Sequence, residues 1–309
     1  MRVLFWGTPE FAIPALRALG EEGHLVVGAV TQPDRPAGRG RTLSLSPVKQ
    51  VAIEEGIPVF QPEKPHGEEF ISLLRQLKPE VSVVVAYGQI LRPEVLALPT
   101  HGSLNIHGSL LPELRGAAPV HWAVIRGYET TGVTIMRMEA GLDSGPILFQ
   151  VPDPIRPDES MSEVAMRLSE LGAEALIDAL AMLGAGMLQE RVQDHSLATY
   201  APKITRETAR LDWTLPAIDV ARLIRGLDAV PGAWSEGAAA GPVKFFRPRV
   251  EVRRGTPGEV LELDPEVGVL IGAGTEAVRV REVQPAGKRR MEAGEWIRGR
   301  GIREGDRFS

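Results

Sequence analysis

Val81-Ser82-Val83-Val84-Val85-Ala86 decides the fold. Five of these six residues are apolar and four are β-branched. A run this short and uniformly apolar reads as a strand covered on both faces, the kind a parallel sheet buries. Helical spacing near Glu68–Leu77 precedes it, and before that come a short strand at Pro58–Phe60 and a helix near Pro47–Glu55. Val26–Thr31 is another apolar run, and Val3–Trp6, closed by Gly7, is the first. Pro9 suits the first turn of a helix through about Leu19. Strand and helix in alternation imply right-handed crossovers and a doubly wound, mainly parallel, Rossmann-like α/β domain.

Downstream, Ser103–His107 and Val133–Met138 read as strands, with a helix near Ala118–Arg126 between them. Asp158–Met187 carries the longest helical signal. Residues from about Gln189 to Arg206 keep no period and read as a linker. One more helix, Ala217–Leu227, leads into short segments at Val243–Phe246, Gly258–Leu263, Gly268–Ile271 and Ala277–Val283, set among Gly and Pro. That texture predicts a small β-barrel. The expected division is 1–189, a linker at 190–205, and 206–309.

Composition excludes several classes. The 309 residues are 43% hydrophobic and 24% charged, ordinary for a globular chain. No stretch approaches the roughly 20 apolar residues of a membrane span. MRVLFWGTPEF lacks the apolar core and small-residue cleavage site of a signal peptide. The absence of Cys removes disulfides, thiolate metal sites and a cysteine nucleophile. A cytoplasmic enzyme fits. The net charge of −5 is uneven: residues 206–309 hold 18 Lys and Arg against 16 Asp and Glu, whereas 1–205 hold 17 against 24. Such asymmetry permits a polyanionic partner at the C-terminal end, and equally describes a solvated charged face.

A hydride-transfer enzyme is the default for a βαβ start, but Gly7-Thr8-Pro9-Glu10-Phe11 has only the first glycine of a dinucleotide fingerprint. Pro9 lacks an N–H, and Glu10 would repel a phosphate. No P-loop and no H-E-x-x-H occurs. These nucleotide and zinc-hydrolase readings fall, and no metal is expected.

The strongest local signal is NIHGSLLPELRGAAP, Asn105 to Pro119. On a strand, Asn105 and His107 project to one face and Leu104 and Ile106 to the other. At the carboxyl end of a parallel strand, both reach the crevice where such sheets bind ligands. An amide and an imidazole side by side suit acyl transfer, because both donate to an oxygen on which negative charge develops. Asp143, in the EAGLDSGPIL loop, is the candidate to orient the imidazole and accept a proton. Taken alone, each residue has a plainer reading: a core histidine, a turn aspartate. Arg115, between Pro112 and Pro119, serves a ligand or the framework equally well. Gln32–Thr42, QPDRPAGRGRT, carries Arg35, Arg39 and Arg41 on the carboxyl rim. It reads as a solvated loop or as a contact to nucleic-acid phosphate.

GTPEFA, TQPDRPAGRGR, VVVAYGQIL, NIHGSLLPELRGAAPV and TGVTIMRMEAGLDSGPI together resemble the folate-dependent formyltransferases, and within them the methionyl-tRNA formyltransferase family. The likeness runs along the whole chain, through Leu211-Asp212-Trp213 to Gln284–Lys288. It implies transfer of the formyl group of 10-formyltetrahydrofolate to the α-amine of methionyl initiator tRNA, by direct amine attack and a tetrahedral intermediate stabilised by Asn105 and His107. It further implies that Asn105, His107 and Asp143 are the catalytic trio, and that Ser109, Leu110, Leu111 and Pro112 contact folate. Backbone around Ala86–Ile90 and Ala140–Asp143 holds the pterin. Arg41, then Arg39, meets the tRNA acceptor end, and the C-terminal domain is an OB-like barrel that grips tRNA. Glu113 departs from the family, which more often has a basic or neutral residue there. A monomer without membrane contact is expected. The rivals are a small-molecule formyltransferase or formyl-folate hydrolase, a non-catalytic RNA-binding protein, and, more distantly, an oxidoreductase.

Overall fold

Short apolar runs between glycine- and proline-rich turns become the central strands of a seven-stranded sheet. The structure is a computed structural model describing residues 1–37, 42–237 and 241–309. Its strands are β1 (Arg2–Gly7), β2 (Leu25–Val30), β3 (Arg35–Ala37), β4 (Thr42–Ser44), β5 (Val59–Phe60), β6 (Val81–Val85), β7 (Ser103–His107), β8 (Thr130–Arg137) and β9 (Ile147–Pro154). The sheet order is β5-β2-β1-β6-β7-β8-β9, with β3 and β4 paired only to each other. Strands β5 through β7 run parallel, whereas β7–β8 and β8–β9 are antiparallel. The sheet is therefore mixed, with an antiparallel edge on a parallel centre.

Every residue of β6 is buried, as its composition demands. Trp6 of β1, fully buried, packs edge-on against Phe70 and Tyr87 and donates its indole N–H to Ser82 Oγ. Large apolar side chains buried this way contribute roughly 1.5–3 kcal/mol each. After β1, Pro9 is followed by a 3₁₀ turn, Glu10–Ala12, and then α1 (Ile13–Glu21). A Cβ on Gly7 would meet Ala12 Cβ at 2.9 Å and Val85 O at 3.2 Å, so this glycine sets the close strand–helix approach. The remaining helices before residue 190 are α2 (Pro47–Glu54), α3 (Glu68–Gln76), α4 (Pro93–Leu96), α5 (Pro119–Ile125) and α6 (Met161–Gly184). Ser46 caps α2 by accepting from Lys49 N–H and shares a 2.7 Å hydrogen bond with Thr31 at the end of β2.

Two units emerge. The first comprises Met1–Pro119, Thr130–Pro154 and Ala165–Tyr200; the second comprises Val120–Glu129, Ile155–Val164 and Ala201–Ser309. The second holds α7 (Ala217–Gly226), β10 (Ala233–Gly237), β11 (Gly241–Glu251), β12 (Val260–Asp264), β13 (Gly268–Gly272), β14 (Ala277–Pro285), β15 (Met291–Glu292) and α8 (Ala293–Arg298). These strands form a six-stranded antiparallel sheet, β10-β11-β14-β13-β12, with β15 beside β14. Its core gathers Trp213, Phe245, Phe308, Val220 and Ile224. The described strand pairings do not by themselves close a barrel, since β10 and β12 are the ends of the path. Bridges from Phe308 to Gly237 and from Arg307 to Glu259 run between those ends.

Candidate active site

β7 presents Asn105 and His107 on one face, two residues apart, at the end of a central strand. The alternate face carries Ile106 against α6. A Cβ on Gly172 of that helix would stand 2.8 Å from Ile106 Cγ2, so the missing side chain lets α6 lie close beneath the site strand. Asn105 is half-buried, and its side chain has no hydrogen-bond partner among the described residues. His107 is only 5% exposed.

The imidazole is oriented by backbone. His107 Nε2 lies 3.0 Å from Leu114 O. A carbonyl only accepts, so Nε2 carries the hydrogen and Nδ1 is the nitrogen left free of the backbone. Nδ1 stands 3.7 Å from Asp143 Oδ2, and that same oxygen accepts the Gly116 N–H at 2.8 Å. Sequence context alone had selected Asp143, and the structure brings it to the imidazole. Leu114 and Asp143 both have positive φ, 57° and 48°. A non-glycine residue in that region costs about 1–3 kcal/mol and persists where its surroundings over-determine it. Gly116, at φ 117°, bears no such cost.

Ser109–Pro112 is fastened from below. Thr134 of β8, fully buried, donates its hydroxyl to Ser109 O and accepts from Leu111 N–H. Gln150 of β9 donates to Leu111 O, and Leu111 packs with Met136 and Ile147. Ser109 is buried and donates its hydroxyl to Glu113 O, while Leu110 and Pro112 remain half-buried and Glu113 is exposed. Across the crevice, Ala86 and Gly88 have φ of 48° and 91°. Tyr87 O accepts from Thr8 Oγ1 and Gln32 Nε2.

Sequence reasoning left Arg115 undecided and missed Gln193. Both are buried, at 4% and 3% exposure. Gln193 Oε1 accepts from Arg115 Nε at 3.1 Å and Nη2 at 2.6 Å, and Nη2 also lies 3.0 Å from His195 Nδ1. Gln193 sits in a segment without periodicity, so no pattern marked it; its place in the polar run Gln193–Ser196 gave no warning of burial.

At the carboxyl ends of β1 and β2 lies a cavity of about 460 Å³, lined by residues including Thr8, Gln32, Asp34, Arg35, Ser44 and Gly88. Lys49 and then Gln61 hydrogen-bond to Asp34 and hold its carboxyl below the usual range. Arg39 and Arg41 lie outside the described residues. No group of His, Asp and Glu suited to a metal ion occurs among the described residues, and no described helix is long and apolar enough to cross a membrane.

Residues 1–180 match the family model described as "Formyl transferase", and residues 203–301 match "Formyl transferase, C-terminal domain". A methionyl-tRNA formyltransferase of Magnetococcus marinus is 44% identical over 307 residues, covering 99% of this chain and 98% of that protein. The Geobacter sulfurreducens methionyl-tRNA formyltransferase is 44% identical over 310 residues, covering 100% and 96%. Among solved structures, HypX from Aquifex aeolicus in complex with tetrahydrofolic acid superposes with TM-score 0.66 at 21% identity, over 96% of this chain and 47% of that one. WlaRD, a sugar 3N-formyl transferase, gives TM-score 0.66 at 14% identity over 94% and 99%; both show a shared fold. With two family models spanning both units and relatives aligned end to end, the chain belongs to the formyltransferase family, in its methionyl-tRNA formyltransferase group.

Proposed function

We propose that this enzyme transfers the formyl group of 10-formyltetrahydrofolate to the α-amine of methionyl initiator tRNA, giving N-formylmethionyl-tRNA for translation initiation in the cytoplasm. The observation that carries the chemistry is the His107 ring, fixed through Nε2 on Leu114 O with Nδ1 turned toward Asp143.

In this reading the amine attacks the formyl carbon and the carbonyl oxygen becomes an oxyanion. Asn105, whose amide has no protein partner among the described residues, donates to it. His107 donates from Nδ1, the nitrogen that the Leu114 carbonyl leaves uncommitted. Asp143 Oδ2, anchored by the Gly116 N–H, balances the imidazolium charge and assists removal of the amine proton, which passes to N10 as the bond between the formyl carbon and N10 breaks, the carbonyl re-forms and tetrahydrofolate leaves. Losing one oxyanion donor typically costs about 10²–10³ in turnover. Ser109, Leu110, Leu111 and Pro112 contact folate. The hydrogen bonds of that segment to Thr134 and Gln150 support a rigid wall there, while backbone at Ala86–Ile90 and Ala140–Asp143 meets the pterin.

Residues 1–189 carry catalysis, 190–205 form the linker, and 206–309 form an OB-like tRNA-binding domain of a monomeric enzyme. The bridges of Arg307 and Phe308 between β12 and β10 support the barrel. A cavity of about 410 Å³ in the second unit supports the polyanion: five arginines, Arg225, Arg247, Arg249, Arg281 and Arg290, face it against Asp158, Glu163 and Asp228. Arg41 and Arg39 meet the acceptor end.

The test is incubation with 10-formyltetrahydrofolate and methionyl initiator tRNA, followed by analysis of the amino acid. His107→Ala and Asp143→Asn are expected to lose turnover by 10² or more while remaining folded. Near-normal rates in both remove the trio from the mechanism.

A further inference from the structure

Residues 191–200 do more than connect. Arg115 N–H donates to Thr199 O and Leu114 N–H to Thr199 Oγ1, so this segment fixes the residue whose carbonyl orients His107. Arg191 pairs with Ile147 through two backbone hydrogen bonds, just after the loop that carries Asp143. Between these ties, Gln193 Nε2 donates to Asp143 O at 2.9 Å and to Gly145 O at 2.7 Å. Gly145 is pressed from the other side, where a Cβ would stand 2.0 Å from Arg137 O.

We infer that Gln193 is a positioning residue for the reaction: its amide, oriented by Arg115, clamps the Asp143–Gly145 turn and so sets the distance from Asp143 to the His107 ring. This rests on the proposed roles of those two residues. The division of labour within one amide is what makes the role specific. Oε1 accepts two hydrogens from the Arg115 guanidinium, which forces Nε2 to face the loop carbonyls. Asp143 has a left-handed backbone, φ 48°, a conformation that needs external restraint. Two donated hydrogen bonds, to the carbonyls on either side of Ser144, supply it. Arg115 itself has no carboxylate partner among the described residues, so the pair is not a neutralising ion pair. Its hydrogen bonds are directional, as a positioning device requires.

Gln193→Glu separates the two halves of the amide. It keeps the acceptor for Arg115 but turns an oxygen toward two carbonyl oxygens, and the turn must move. A displacement near 1 Å costs on the order of 10²-fold in rate. The expected result is a fall in kcat of about 10–100-fold, with KM for 10-formyltetrahydrofolate and for methionyl-tRNA within about threefold. Gln193→Met, similar in size and without donors, is the second variant and carries the same expectation should the glutamate variant fail to fold. An unchanged kcat in a folded variant overturns the inference, as does a loss confined to KM or to thermal stability. Asp143→Asn is assayed alongside. If it retains turnover, the reading of the site fails; if it is inactive while Gln193→Glu behaves as wild type, only the role of Gln193 fails.

Discussion

Among the described residues, two guanidinium groups are almost sealed from water, one in each unit, and their surroundings are opposites. Arg279 on β14, 6% exposed, meets Glu251 through Nε at 2.5 Å and Nη2 at 2.9 Å, and Glu262 through Nη2 at 2.9 Å. Hydrogen bonds to Glu251 hold this guanidinium above its ordinary pKa, and Arg279 in turn holds Glu262 below the usual carboxylate range. Arg115, 4% exposed, has an amide oxygen and a histidine nitrogen instead. A buried cation neutralised by two carboxylates ties three strands together and has nothing left to offer. A buried cation held by neutral groups costs desolvation that its partners offset only in part. Such an arrangement marks a place where geometry is worth more than stability.

The sharpest way to break this contrast is to remove each guanidinium with the shape kept. Arg115→Met frees the Gln193 amide and is expected to lower kcat by about 10²-fold, through displacement of the Asp143 turn. Arg279→Met is expected to leave kcat within twofold. Steady-state rates on purified, folded variants decide it, and equal effects on turnover would dissolve the distinction. Stability reverses the order. Glu251 and Glu262 are over a third exposed, so their orphaned charges recover part of their hydration. A loss of about 1–3 kcal/mol follows for Arg279→Met, read as a fall of several degrees in the melting temperature of the second unit.

The same contrast explains what the sequence disclosed. Ser103–His107 emerges with its predicted bounds, because β-strand alternation and the following Gly108 both depend on local chemistry. The run Val81–Ala86 emerges as Val81–Val85 because its near-uniform apolarity calls for burial on both faces. β9 was not anticipated, since Pro152 and Pro154 argue against a strand. It is tolerated as the edge of its sheet. The helix expected over Asp158–Met187 is shorter, Met161–Gly184, with Asp158 and Ser160 before its start. Short β10, AWSEG, has too few residues to establish a period. In the site, Asn105, His107 and Asp143 were legible as chemical types near glycines. Leu114 and Gln193 were not, because each acts through a hydrogen bond with a backbone carbonyl, and such bonds leave no trace in residue type.

Along β14 the contrast recurs within two residues. Arg281 is exposed, lines the cavity of the second unit together with Arg225, Arg247, Arg249 and Arg290, and, unlike Arg247 with Glu282, has no acidic partner among the described residues. Like charges gathered around one cavity repel one another, and a phosphate backbone relieves them. Arg281→Ala is expected to weaken methionyl-tRNA binding severalfold at physiological salt and to reduce the slope of log affinity against log salt by about one. Binding of 10-formyltetrahydrofolate stays unchanged. Titration at three salt concentrations checks this, and an unaltered slope would return Arg281 to the solvated surface.

The smallest expected effect distinguishes two histidines. His107 turns its free nitrogen to a carboxylate, whereas His121 on α5 is pushed below the ordinary histidine value by burial, only partly countered by a hydrogen bond with the Val230 backbone. The folded second unit therefore keeps His121 neutral at pH values where the unfolded chain protonates it. The unfolded state binds more protons there, so stability rises with pH. It is full above about pH 6.5, the unfolded value, and declines as pH falls from there toward the lowered folded value. One group contributes at most about 1.4 kcal/mol per pH unit in that window. His121→Asn removes this term and flattens the difference in melting temperature between pH 7.5 and pH 5.5, on top of any constant packing loss. Parallel melting curves for both proteins across that range would show that His121 titrates alike in the folded and unfolded chains, and that burial at this position does not separate it from an exposed histidine.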